Sequence, residues 1–493
     1  VEVIKLKLKN HAMLQLVECS PQVAQELYDH FSFFVPGHKF MPAFKKRVWD
    51  GQIHMLNRIN GEINAGLYNK IKRFAAERMY AVTLEESSYG LPNQLNSVNH
   101  METLKWISTL KDLPFLPRDY QYDAFTHAVE NKRAVLVSPT GSGKSFIIYL
   151  LLRWYTNLHS EKVLVVVPTT GLVEQMFKDF ADYGYESEEN CHIIYSGKDK
   201  DSDKKIIIST WQSIHKLHPK WFEQFGMVIG DECHGFKAKS LSSIMNKAVN
   251  AEYRFGTTGT LDGTETNKMV LEGLFGPVNK VTTTAKLQAD KQLANLDIDI
   301  ILLEYEEAIR NTLRDATYQE EIDFIVSHSG RNNFIRNLTC SLDGNTLVLF
   351  NLVERHGKIL KDLIEEKLEP NRRLFYVSGE TKTSDREAVR AIVEKQSNSV
   401  VLASLGTFST GINIRNLHNI VFASPSKSQI RVLQSIGRGL RVSEDGRDTK
   451  LYDIADDLRS NGKANFTLRH SAERIKIYNT EKFTHKLTKI KLK

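Results

Sequence analysis

Residues 138–145 read SPTGSGKS, set between the apolar run AVLV at 134–137 and the apolar run FIIYL at 146–150. A buried strand, a glycine loop and a helix N-terminus in that order leave backbone N–H groups open toward an anion, and the helix dipole adds to the pull. The phosphates of a nucleotide are the expected ligand. The pattern G-x-x-x-x-G-K-[ST] is carried by Thr140, Gly141, Ser142, Gly143, Lys144 and Ser145, with Ser138 in place of the first glycine. In such a loop the lysine, Lys144, lies against the outer phosphates and the Ser145 hydroxyl ligates Mg²⁺. A surface turn after a strand is the competing reading, so the rest of the chain has to decide.

Strand-like runs at 134–137, 163–167, 206–209, 227–229 and 254–257 alternate with helical stretches. The alternation pauses over 277–343, a region richer in helix and charge, and resumes at 346–350, 373–377, 400–404, 419–423 and 450–454. Repeated strand and helix alternation implies parallel sheets covered on both faces. The second series has no phosphate loop of its own, which places nucleotide between two similar α/β units, at the carboxyl ends of strands. With 493 residues the chain exceeds a single core. The expected division is a small α+β domain at 1–85 with nucleic-acid contact and a linker at 86–112. The two α/β units follow at 113–280 and 281–457, and a basic tail, helical in part, at 458–493.

Charge is uneven along this division. Residues 1–80 hold twelve lysines and arginines against seven acids, and residues 458–493 hold ten against two, although the whole chain is only +7. Basic ends on a slightly acidic centre suit a polyanionic partner. The 41% apolar and 25% charged composition is that of a soluble protein, and no apolar run approaches the roughly 20 residues that span a bilayer. The first residues lack a signal peptide's apolar core, so a cytoplasmic place and no membrane partner are expected. Four cysteines far apart in sequence, with no C-x-x-C pair, argue against a zinc or iron–sulfur centre. Near the N-terminus Phe33, Phe34, Phe40, Phe44 and Trp49 interleave with His38, Lys39, Lys45, Lys46 and Arg47. Packing of the rings in a small core and stacking on bases both remain open; Lys45, Lys46 and Arg47 are the expected nucleic-acid contacts.

Beyond 227–229 come Asp231, Glu232, Cys233 and His234. Adjacent carboxylates at a strand end, downstream of a phosphate loop, supply its acidic counterpart: Asp231 would hold Mg²⁺ through water, and Glu232 would orient and deprotonate an attacking water. Far downstream, Gln434, Gly437, Arg438 and Arg441 form Q-x-x-G-R-x-x-R. The i, i+3 spacing puts Arg438 and Arg441 on one helix face, where they can stabilise charge growing on a γ-phosphate.

Taken in order, PTGSGKS, VVPTTGLVEQ, ISTWQS, DECH, TTGT, ASLGTFSTGI and QSIGRGLR resemble the motif series of a superfamily 2 helicase over about residues 115–457. The elements WDGQI, YVSGE and FSTGINIRNLH are similar to those of the recombination and repair helicases of tailed phages. The resemblance implies an α/β chain of two tandem RecA-like parallel-sheet domains preceded by a small α+β N-terminal domain, with ATP and Mg²⁺ as cofactors. It implies ATP-driven unwinding or branch migration of forked and junction DNA, R-loops included, in recombination, repair and replication. Partners implied are branched or single-stranded DNA, RNA–DNA hybrids and replication or recombination proteins, for a monomeric or weakly associating chain.

By the same resemblance Arg118 and Gln121 in RDYQ lie on the adenine side. Thr258 and Thr260 couple hydrolysis to movement, Gly411 belongs to the nucleotide-facing motif of the second domain, and Gln434, Arg438 and Arg441 form its last motif. RDYQ and DECH both depart from the DEAD-box pattern and argue against that RNA-restructuring branch. Thr169, Thr170, Thr210, Trp211, Gln212, Ser378, Gly379, Thr407 and Thr410 are expected at strand-end loops, where hydroxyls and amides hold phosphates without reading bases. Trp211 is equally readable as a stacking ring or a core residue. Three alternatives remain: a duplex-DNA translocase, a strand-annealing remodeller without processive unwinding, and a non-enzymatic binding module with a degenerate nucleotide site.

Overall fold

A computed structural model describes residues 2–492 apart from 36, 93, 111–112, 140, 237, 260, 262–264, 284–285, 288–289, 291–295, 408–413, 415, 425–447 and 481–482. Thr140, Thr260, Thr410, Gly411, Gln434, Gly437, Arg438 and Arg441 lie outside the described residues. Two compact units divide the chain, Val1–Ser138 with Gly143–Thr282, and Pro139–Ser142 with Thr283–Lys493.

The first unit begins with a small mixed sheet. Strand β1 (Val3–Leu8) alternates outward and inward side chains, so Ile4, Leu6 and Leu8 enter a core. Strand β2 (Met13–Glu18) returns antiparallel, and the Ser20 hydroxyl accepts from the Val23 N–H at 3.4 Å to start the helix Pro21–His30. Strands β3 (Ser32–Phe34) and β4 (Gln52–His54) pair as a separate antiparallel ribbon. With β5 (Glu62–Asn64) and β6 (Ala81–Glu85) the sheet reads β5-β2-β1-β6, and the helix Tyr68–Glu77 contributes Ile71, Phe74 and Ala75 to the same core.

The same unit continues into a seven-stranded sheet. Its strands are β7 (Arg133–Val137), β8 (Lys162–Val167), β9 (Cys191–Ile194), β10 (Ile206–Thr210), β11 (Phe225–Asp231), β12 (Tyr253–Thr258) and β13 (Val278–Lys280). The order is β13-β7-β12-β11-β8-β10-β9, and every neighbouring pair is parallel. Along β8, Val163, Val165 and Val167 join one hydrophobic core while Leu164 and Val166 join the other. That split explains the unbroken apolar runs of the sequence, since a strand covered on both faces has no polar side. The helix Lys144–Leu158 buries every residue from Phe146 to Leu152, as a helix apolar all round must. Within 86–112 a helix, His100–Thr109, capped by Asn99, sets Ile107 in this core with Trp106 stacked 6.2 Å from Phe125.

The second unit holds another seven-stranded parallel sheet: β14 (Leu296–Glu304), β15 (Thr346–Phe350), β16 (Arg373–Val377), β17 (Ser399–Ser404), β18 (Asn419–Phe422), β19 (Thr449–Asp457) and β20 (Thr484–Lys491), in the order β16-β17-β15-β18-β19-β14-β20. Strand β14 falls where the charged 277–343 stretch had suggested helix; its Asp299 is buried and accepts from the Thr488 hydroxyl at 2.8 Å. The terminal basic segment carries the helix Phe466–Thr480 and the edge strand β20. Arg474 pairs with Asp453 at 2.7 Å, both side chains buried, and the Tyr478 hydroxyl donates to the same carboxylate at 2.8 Å. Among the described residues no helix is long and apolar enough to cross a membrane.

Within the first unit the small sheet domain is docked on the parallel-sheet domain. Lys70 pairs with Glu272 at 2.8 Å, Asn64 donates to Asn246 at 3.0 Å, and Arg133 donates to the His11 carbonyl oxygen. A Cβ on Gly66 would lie 2.1 Å from the Glu272 carbonyl oxygen, so only glycine fits there. Gly66→Ala is expected to destabilise the chain by about 1–3 kcal/mol through overpacking; calorimetry of the full chain reads this, and an unchanged melting temperature would mean a loose interface. Burial first, then the charge of Arg133, lowers His11 from its ordinary 6.5 to about 4. Folded His11 is therefore neutral where the unfolded chain takes up a proton. Its contribution is intact above pH 6.5 and lost as pH falls toward 4. Urea midpoints should fall across that window more steeply in the parent than in His11→Gln, and equal slopes would remove His11 as the cause.

Candidate nucleotide and nucleic-acid site

Strand β7 ends at Val137, and the Ser138 N–H donates to the Thr258 carbonyl oxygen at 2.9 Å. The loop then turns through Gly141 and Gly143, with φ of 85° and 78°, and the helix opens at Lys144. Gly143 is needed twice over: its backbone is left-handed, and a Cβ there would lie 2.4 Å from Gln121 Nε2. Gln121, buried, also accepts from the Arg118 N–H at 2.9 Å, which fixes the RDYQ segment beside the phosphate loop. The Ser142 hydroxyl donates to the Pro139 carbonyl oxygen at 2.6 Å.

The Lys144 ammonium donates to the Ser138 carbonyl oxygen at 3.2 Å and stands 3.5 Å from Glu232. The Ser145 hydroxyl lies 2.9 Å from the hydroxyl of Tyr183. Strand β11 carries Asp231 to the same end of the sheet, 7% exposed, where it accepts from the Thr257 hydroxyl at 2.6 Å. Burial, and next the adjacent Glu232, push Asp231 up to about 6, while Lys144 and Thr257 pull it back. Glu232 has a left-handed backbone, φ 48°, uncommon outside glycine, and its carboxylate stands within 3.5 Å of both Lys144 and the His234 ring. The His234 ring meets the Thr258 hydroxyl at 2.5 Å. The Ser145 hydroxyl and the Asp231 carboxylate offer oxygen donors only, the kind a hard divalent cation takes.

The sequence placed Lys144, Ser145, Asp231 and Glu232 in one nucleotide site and gave Thr258 a coupling role, and the structure has all five at or just past the carboxyl ends of β7, β11 and β12. Tyr183 and Thr257 touch the site without standing in any role read from the sequence, and His234 was read only as part of DECH. A threonine at the strand end one step before Thr258 was the available signal; Tyr183 offered none.

The expected strand-end donors divide by depth. Thr169 caps the helix Thr170–Asp182, Thr170 is exposed, and Gln212 donates to the Pro168 carbonyl oxygen at 3.1 Å, tying the loops after β8 and β10 together. Thr210 is buried with its hydroxyl 2.9 Å from Ser213, and Trp211 is half-buried against the core, edge-on to His215 at 5.6 Å. In the second unit Ser378 is buried, Gly379 is exposed, and the buried Thr407 hydroxyl accepts from Ser404 at 2.7 Å. Lys45, Lys46 and Arg47 are all exposed at the end of the short helix Pro42–Lys45.

Comparison with known proteins adds descent to geometry. Residues 3–85 match the family "DNA helicase UvsW, N-terminal", residues 114–263 "Type III restriction enzyme, res subunit", and residues 330–443 "Helicase conserved C-terminal domain". The chain is 35% identical over 497 residues to the ATP-dependent DNA helicase uvsW of Enterobacteria phage T4, covering 97% of each. It is 24% identical to the probable helicase D10 of Escherichia phage T5, over 69% of this chain and 70% of that one. The crystal structure of T4 UvsW superposes with a TM-score of 0.53 at 33% identity, over 99% of this chain and 100% of that chain. The two parallel-sheet units are RecA-like domains. A likeness that runs through the N-terminal domain as well as both RecA-like domains makes this chain a member of the UvsW family of superfamily 2, an ATP-dependent DNA helicase.

Proposed function

We propose that the chain couples ATP hydrolysis to unwinding and branch migration of forked and junction DNA, R-loops included, in recombination, repair and replication. The observation that carries the motor is Lys144 standing 3.5 Å from Glu232, with Ser145 and Asp231 on either side in sequence. In this reading Lys144 leaves Glu232 for the outer phosphates, and Glu232, released, orients the attacking water and takes its proton. Gln121 and Arg118 hold the adenine side. Ser145 and Asp231 would hold Mg²⁺, which offsets phosphate charge during in-line attack. Arg438 and Arg441, with Gln434 and Gly411, complete the set by their sequence pattern. His234 and Thr258 link the carboxylate turn to the end of β12 and so pass a change at the phosphates onward.

Support for branched DNA comes from the exposed cations Lys45, Lys46 and Arg47 on a domain firmly mounted on the motor. Thr169, Thr170, Thr210, Trp211, Gln212, Ser378, Gly379 and Thr407 stand at or just past strand ends, and in this reading the exposed ones hold phosphates without regard to sequence, with Thr410 added by its sequence pattern alone. The chain works as a monomer or weak assembly in the cytoplasm, beside replication or recombination proteins.

Phosphate release measured with single-stranded DNA, duplex, fork, four-way junction and RNA–DNA hybrid tests the reading. Forks and junctions should stimulate most, and Lys144→Ala and Glu232→Gln should each cut stimulated turnover by about a hundredfold or more. Near-normal turnover in either variant removes the site assignment. Strand displacement on the same fork separates an unwinding motor from one that only tracks duplex. Reversing Lys45, Lys46 and Arg47 to glutamate together should weaken fork binding and flatten its salt dependence by a log–log slope of up to about 2.7, about 0.9 per lost phosphate contact. An unchanged salt slope would make these cations a solvated face.

A further inference from the structure

Between β3 and β4 the chain builds a compact lobe around the ring of His38. That ring stacks on Phe34 with centroids 4.8 Å apart, meets Phe44 edge-on at 4.8 Å, and donates from Nδ1 to the Val35 carbonyl oxygen at 3.0 Å. The Trp49 indole N–H donates to the Gln52 carbonyl oxygen at 2.8 Å, fixing a second ring on the lobe. Arg47 between them has a left-handed backbone, φ 56°, a conformation held only where the surroundings impose it.

The lobe bears an open cleft of about 500 Å³, within the ~300–1,000 Å³ usual for small-molecule sites. Phe44, Val48 and Trp49 give it an apolar lining, and Lys39, Lys45 and Arg47 add positive charge. Among the described residues these three cations form no ion pair with a carboxylate. The one acid in the cleft, Asp50, is already engaged by the Gln52 N–H at 3.0 Å and by His54 at 2.7 Å. Val48 is 80% exposed, as is the nearby Phe40, so two large apolar side chains stand in water beside unpaired cations. Rings, an exposed aliphatic tip and free cations together match a base joined to its phosphate, since stacking needs only a π-face and the cations need only the backbone. An acidic peptide would use the cations and leave the rings without a partner.

We propose that this cleft holds one unpaired nucleotide at the branch point of the DNA, its base against Val48, Phe44 and Trp49 and its phosphate on Lys39, Lys45 and Arg47. The inference rests on the reading of the chain as a motor on branched DNA, and extends it by naming where the strands are held apart. The Asp50 carboxylate keeps lone pairs for an exocyclic amino group on the base edge. Docking through Gly66, Lys70 and His11 fixes the N-terminal domain that carries the lobe to the first RecA-like domain, so a base held here moves with that domain.

The test measures fork affinity of the full chain by fluorescence anisotropy without ATP. Each of the first three unpaired positions of either arm carries a normal nucleotide or an abasic site. At one position the abasic site should weaken binding to the parent chain about tenfold, within the range for one stacked base. Val48→Asp, a change at an exposed position that leaves the packed rings alone, should bind the normal fork as weakly as the parent binds the abasic one, with no further loss on the abasic fork. Three results overturn the proposal: indifference of the parent to every abasic site, as an acidic protein partner would give; an equal abasic loss in parent and variant; or a matching loss by the variant on blunt duplex, as phosphate contact alone would give. DNA-stimulated ATP hydrolysis by the parent on the normal fork is scored separately. Stimulation without any abasic effect removes the cleft and leaves the motor, whereas no stimulation removes the motor.

Discussion

A carboxylate at the end of a fully buried strand has to be met by donors or positive charge, and the nucleotide site is arranged around that need at Asp231. Sheet order settles how it is met. Strand β12 lies between β7, which carries the phosphate loop, and β11, which carries the acids. Its last two residues serve both neighbours: Thr257 donates to Asp231, and Thr258 receives Ser138 through its carbonyl oxygen and meets His234 through its hydroxyl. Loop and acids therefore cannot move independently, because each is hydrogen-bonded to the same strand end. Lys144 stands at the focus of the two carboxylates, close enough that its charge lowers Asp231 against burial.

The parallel sheets were legible because burial on both faces writes long apolar runs, as in Val163 to Val167 and Ile206 to Ile208. The phosphate loop and the acid pair were legible because their chemistry demands specific residues at fixed places at or just past the ends of two strands. What stayed hidden had mixed signals. Strand β14 alternates aspartate with isoleucine, and only the structure shows Asp299 inside, satisfied by Thr488 from a distant strand. The helix at His100–Thr109 lies in a polar stretch and is anchored mainly through Trp106 and Ile107. Strand β20, rich in lysine, is an edge among the described residues, and an edge sequence bears few apolar marks. In the candidate site, Tyr183 comes to Ser145 from the end of another helix, a meeting that depends on packing and on no local pattern.

The N-terminal aromatic cluster shows how composition can leave the division between core and surface open. His38 gathers Phe34 and Phe44 into a packed lobe, and Trp49 is fastened by its indole N–H. Phe40 and Val48 on the same lobe face water. One short stretch thus supplies its own small core and a surface, a division that spacing along the chain does not reveal.

The fit of Gly66 against the Glu272 backbone also bears on inheritance. Helix Glu265–Phe275 begins soon after the strand end that touches the phosphate loop, and its far turn forms the seat of the N-terminal domain. A change of side chain on that seat is felt by both domains, so the two faces must drift together or not at all. Exchange of the N-terminal domain alone between distant relatives would bring in a foreign footprint and strand Glu272 and Arg133 beside it. A chain that keeps this N-terminal domain must therefore keep its seat on the first RecA-like domain as well.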